Sequence, residues 1–164
     1  MATVAKNRIT RSVRPGSAFE SAKAVISSAS TWNQGDLVYF DDVNNVLKAV
    51  TGDTDAATFC GIARQSIVAG KPVSPYQGTA VDAAQAIEEL GGPQFGVIAK
   101  LKLKSGDSFA PGDLVYASSV DAQTVSVSGT NAIGIFQDAA IVASSGSEGQ
   151  VLIGNRLRTT GLCV

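Results

Sequence analysis

Of the side chains that carry most enzyme chemistry, this 164-residue sequence has no histidine, two cysteines (Cys60 and Cys163) and 14 acids. Without histidine the commonest general base is gone, and so are the usual ligand of zinc and non-haem iron and every serine–histidine or cysteine–histidine nucleophile system. Carboxylates and amides gather twice, at Asp41, Asp42, Asn44 and Asn45 and at Asp53 and Asp55. Their oxygens suit calcium, but neither group has the EF-hand spacing, and both read as turn chemistry. No Walker A or dinucleotide-binding glycine pattern stands ahead of a helix; glycine-rich pieces such as 146–149 connect strands. Cys60 lies within an apolar run and is expected in the core, and the two cysteines do not form a disulfide framework. The expectation is a binding or structural protein with no catalytic residue, metal or cofactor.

The chain that positions these residues is built on a repeat. Gly35-Asp36-Leu37-Val38-Tyr39 returns as Gly112-Asp113-Leu114-Val115-Tyr116, and at this offset of 77 Val43, Val50 and Gly52 match Val120, Val127 and Gly129. Gly61-Ile62 then matches Gly134-Ile135, four residues out of step, so the length changes in the intervening loop. A fainter echo relates 94–102 to 150–158. Two related halves are implied, about 31–104 and 105–164, forming one β domain behind an arm at 1–30. In each Gly-Asp-Leu-Val-Tyr, glycine (Gly35, Gly112) permits a positive φ and aspartate (Asp36, Asp113) accepts backbone N–H groups. The apolar residues through Tyr39 and Tyr116 enter the core. A corner present twice argues for folding rather than catalysis.

Apolar residues make up 45% of the chain and charged ones 16%, a balance that excludes disorder throughout. A single domain of this length buries roughly 70% of its unfolded surface. No apolar run approaches the ~20 residues needed to span a bilayer, and the N-terminus lacks the apolar core of a signal peptide, so synthesis and retention in the cytoplasm are expected. The net charge of −1 hides an asymmetry: residues 1–30 hold five bases (Lys6, Arg8, Arg11, Arg14, Lys23) against Glu20 alone, while the remainder has 13 acids and 8 bases. A basic arm suits nucleic acid, a membrane surface or an acidic protein. With Phe19 the sole aromatic between its bases, direct nucleic-acid binding is not expected. A solvated terminus and a docking arm built on Lys6, Arg8, Arg11 and Arg14 remain as alternatives.

In chain order, a short strand through Ala24-Val25-Ile26 is followed by Trp32, expected to cover one end of the core, and by a hairpin of 37–40 and 46–50 around the turn 41–45. Strands follow at 58–63 and 66–69. An insertion at 70–92 carries one short helix, with Ala83, Ala84, Ile87 and Leu90 on one face and Gly91-Gly92-Pro93 as its stop. Over 95–103, Leu101 and Leu103 alternate with Lys100, Lys102 and Lys104, a stripe that suits either an acidic partner or an edge strand guarded against wrong pairing. Strands are expected again at 114–117, 124–127, 132–136, 139–143 and 150–157. The fold class is all-β: an internally duplicated barrel or sandwich of short strands, with one short helix and an extended N-terminal arm.

Trp32-Asn33-Gln34-Gly35-Asp36-Leu37-Val38-Tyr39-Phe40-Asp41, the hairpin, Gly61-Ile62-Ala63 and the second-half echo resemble the decoration (cement) proteins of tailed bacteriophages over about residues 31–158. The resemblance implies a virion protein on the outer capsid surface that bridges neighbouring subunits of the major capsid protein. It also implies a homo-oligomer, a trimer before a dimer, with no membrane and no catalytic residues. The insertion at 70–92 departs from simpler members. Alternatives are a tail or baseplate component and a carbohydrate-binding module stacking sugars on Trp32, Tyr39, Tyr76 or Tyr116; an enzyme using carboxylates alone is a further class.

Overall fold

The computed structural model describes residues 8–12, 26–72 and 97–153. Its strands are β1 (Arg8–Ser12), β2 (Leu37–Asp41), β3 (Val46–Ala49), β4 (Phe59–Ile62), β5 (Ile67–Val68), β6 (Lys71–Pro72), β7 (Val97–Leu103), β8 (Ser108–Phe109), β9 (Leu114–Ala117), β10 (Thr124–Ser126), β11 (Ala132–Phe136), β12 (Ile141–Val142) and β13 (Glu148–Ile153). A 3-10 turn at Asp55–Thr58 precedes β4, so the strand expected from 58 starts at Phe59. The helix expected within 79–90 lies outside the described residues, as do Lys6, Arg14, Tyr76 and Cys163.

Five strands close a barrel in the order β7-β10-β9-β11-β13, with β13 returning to β7. Closure pairs Val97 to Lys102 with Ile153 to Glu148 antiparallel; Val97 and Ile153, equivalent in the fainter echo, face each other in this ladder. The arm contributes β1, which the sequence pattern did not announce. It pairs with β7 at Val97–Lys100, upstream of the two-residue parallel ladder that β10 makes at Lys102 and Leu103. Beside the barrel stands a three-stranded sheet in the order β3-β2-β4.

The duplication is legible in this topology. Strands β3-β2-β4 of the first half correspond to β10-β9-β11 of the second, with the repeated motif on the middle strand each time. Leu37 and Val38 face Ile62 and Gly61, as Leu114 and Val115 face Ile135 and Gly134.

Side-chain alternation divides the interior. Leu37, Phe59 and Ile62 pack with the barrel's Leu101, Val115, Phe136 and Val151 in the main core, where the rings of Phe109 and Phe136 meet at 5.3 Å. The opposite face of the three-stranded sheet offers Val38, Leu47 and Cys60 to Trp32 and Ile67 in a second cluster. Trp32 is only 5% exposed, and its indole N–H donates to the Gln65 carbonyl at 2.9 Å. It therefore covers the outer face of this sheet, away from the main core.

Strand β7 alternates as expected, but it is no edge: β1 and β10 flank one side and β13 the other. Its lysines form ion pairs, Lys100 with Glu148 of β13 at 3.0 Å and Lys102 with Asp121 of the β9–β10 turn at 3.5 Å.

Candidate interaction surface

Both repeat corners are built by the same bonds. Gly35 and Gly112 each adopt φ +92°, where an L side chain is strained. Asp36 Oδ2 accepts the Asn33 N–H at 2.8 Å, and Asp113 Oδ2 accepts the Ala110 N–H at 2.8 Å. The Gly35 N–H donates to the Ala63 carbonyl and the Gly112 N–H to that of Phe136, each at 2.9 Å. Tyr39 and Tyr116 follow, each half-buried. These six residues make the fold's corners.

The halves are joined by polar contacts. Buried Gln123 donates its Nε2 to Asp36 Oδ1 at 2.7 Å, and the Leu37 N–H donates to the Ala122 carbonyl at 2.7 Å. The Asp53 carboxylate accepts the N–H groups of Thr130 and Asn131 at 2.8 and 3.0 Å, while Asn131 Nδ2 donates back to the Asp53 carbonyl at 2.9 Å. This use of Asp53 was not foreseen; its signal in the sequence is the repeated glycine beside it, Gly52 and Gly129.

Asp41, Asp55 and Asp121 hold turns. Asp41 receives the Asn44 N–H and Lys48 Nζ, the latter at 2.6 Å. The Lys48 and Asn44 bonds hold its carboxyl down to about 2, and the same pairing raises the Lys48 ammonium. Burial pushes the Asp121 carboxyl up, but the Gln123 N–H, the Thr124 hydroxyl and Lys102 together bring it below its ordinary value. Asp55 accepts from the Thr51 N–H and hydroxyl. Burial lifts the Cys60 thiol to about 11, which leaves it an unreactive core group at neutral pH. Among the described residues no three His, Cys, Asp or Glu side chains are grouped as metal ligands. Nor is any described helix long and apolar enough to cross a membrane.

The described surface also carries an apolar strip. Ala139, Ala140, Ile141 and Val142 are consecutive and all exposed. Ile141 and Val142 form β12, which pairs with β8 at Phe109 and Ser108; its other edge meets no strand among the described residues. The sequence pattern gave a strand here but not its exposure, for which four successive apolar residues ahead of Ser144-Ser145-Gly146 are the available signal. Val43 and Val120 stand out from the two hairpin turns. Of the basic arm, Arg8 and Arg11 fall in β1, opposite Lys100 and Ile98.

No family model and no curated protein matches the chain.

Proposed function

We propose that this chain is a structural virion protein that binds the outside of a phage capsid and bridges neighbouring subunits of the major capsid protein. The observation that carries this reading is the β12 edge. β12 is short, but it carries none of the lysine, proline or bulge that guards other edges, and Ala139 to Val142 expose four apolar residues with no charge among them. An edge of this kind takes up protein partners. The repeat corners, on which the resemblance to decoration proteins rests, favour a capsid as that partner. The mechanism is then contact area: each copy, in a trimer or dimer, touches more than one capsid subunit, and several weak contacts add through multivalency. The basic residues Lys6, Arg8, Arg11 and Arg14 of the arm supply a cationic contact.

A carbohydrate-binding role is less well supported, because Trp32 is buried and Tyr39 and Tyr116 are half-buried. The test of the capsid reading is the solution mass by light scattering, followed by co-sedimentation with emptied, expanded heads of the phage that encodes the chain. A stable oligomer that pellets stoichiometrically with heads supports it; a monomer that stays in the supernatant refutes it. Assembly into tubes or hexameric rings would point instead to a tail or baseplate.

A further inference from the structure

Eight identities survive in the 18 aligned positions that begin at Gly35 and Gly112. The fold uses most of them: the glycines and aspartates build the corners, Val38 and Val115 are fully buried, and Val50 and Val127 pack in the main core. Val43 and Val120 are the one identical pair whose side chains both stand in water, 88% and 66% exposed. Turn chemistry does not ask for them. Asp41 accepts the Asn44 N–H in the first turn, while Ser118 Oγ accepts the Val120 N–H and Asp121 the Gln123 N–H in the second. A β-branched side chain adds no bond there, and such turns favour Gly, Asn, Asp or Ser. The same unfavourable choice is thus made twice, in halves that differ at most other surface positions.

The two valines also stand apart. Val43 tips the β2–β3 hairpin, and Val120 adjoins Ser119, which lies beside Gly52 near that hairpin's base. The whole of β3 lies between that tip and that base, about 10 Å of strand at the usual rise per residue, so the two valines belong to separate contacts. Asp42 adjoins Val43, and Asp121, already paired with Lys102, adjoins Val120, on a body with 13 acids and 8 bases. We propose that Val43 and Val120 are twin anchors, each seated in a shallow apolar pocket with a cationic rim on a surface of identical subunits that offers this pocket more than once. This rests on the capsid reading and names the contact through which one chain reaches two capsid subunits.

The test uses Val43→Ser, Val120→Ser and the double variant, with occupancy of expanded heads titrated by co-sedimentation and thermal melting recorded in parallel. Each single change is expected to weaken binding about tenfold and the pair about a hundredfold, the scale of one and two lost valine contacts. Melting temperatures should not move. Isoleucine at both positions should retain wild-type occupancy. A serine pair that binds like wild type overturns the inference and leaves the capsid reading standing, as does an isoleucine pair that loses as much as the serine pair. A wild-type chain with no affinity for heads overturns both.

Discussion

Asp53 and Thr130 lie 77 residues apart, the interval that separates the two Gly-Asp-Leu-Val-Tyr motifs, and the Asp53 carboxylate accepts the Thr130 N–H at 2.8 Å. Equivalent positions of the two halves therefore meet, and the duplicated units are joined at the residues that follow Gly52 and Gly129. A side chain at Gly129 would leave no room for this joint, since a Cβ there would stand 2.6 Å from Asp53 Oδ1 and 2.7 Å from Tyr116. Asp53→Ala removes the acceptor of two N–H groups and is expected to cost about 1–3 kcal/mol in urea unfolding. An unchanged midpoint would contradict a joint at this position.

The two corners are alike in geometry but not in load. Asp36 is buried and also holds Gln123, whereas Asp113 is half-buried and holds its own turn through the Ala110 N–H. Asp36→Ala should therefore destabilise more, about 2–3 kcal/mol against about 1 for Asp113→Ala. Chemical denaturation of both variants checks the order, and equal losses would show that the Asp36–Gln123 bond adds little.

Closure of the barrel depends on a glycine. A Cβ at Gly134 would sit 2.6 Å from the Leu152 carbonyl oxygen, part of the neighbouring strand's backbone, which cannot swing aside as a side chain can. Gly134→Ala is expected to cost at least about 3 kcal/mol or to prevent folding. Gly106→Ala is the control: it meets nothing within 4 Å, and at φ +91° it carries only the backbone penalty, about 1–2 kcal/mol. A Gly134 variant as stable as the Gly106 variant would contradict the closed ladder between β11 and β13.

Two groups give stability opposite pH limits. The Asp41 carboxyl is held at about 2, below its ordinary 3.8, so its contribution is full above pH ~4 and disappears as the pH falls towards 2. Asp41→Asn should flatten the stability profile in that acid window. The Cys60 thiol is raised from 9.0 to about 11, so its contribution is full below pH ~9 and is lost as the pH rises towards 11. Tyr39 and Lys48, also raised, lose theirs in the same alkaline direction. Cys60 should resist iodoacetamide in the native protein at pH 8 and react once the chain is denatured; rapid native labelling would contradict its burial.

The β architecture was readable where apolar, β-branched residues form runs bounded by Gly, Asn or Asp, as in β2, β3, β9, β11 and β13. The repeat carried still more, because the corner bonds and the pairing of each middle strand with the strand after it, β2 with β4 and β9 with β11, recur in both halves. Strand β8 offers only Ser108 and Phe109, too short to show a period, and β1 has Ile9 as its single large apolar residue, so its pairing is set by β7 rather than by its own pattern. The lysine stripe of β7 suggested an edge because sequence does not show that Glu148 and Asp121 come to meet it. The exposed surface was least legible: whether Ala139 to Val142 face water depends on which strands lie beside β12, and the strand that does, β8, is more than 30 residues away in the chain.

The most direct test of the central proposal is electron cryo-microscopy of expanded heads saturated with the wild-type chain. The account predicts density for the barrel on the outer face of the shell, over boundaries between capsid subunits, with the Val43 and Val120 turns on the capsid side. Heads without added outer density, or density confined to the tail, would contradict it.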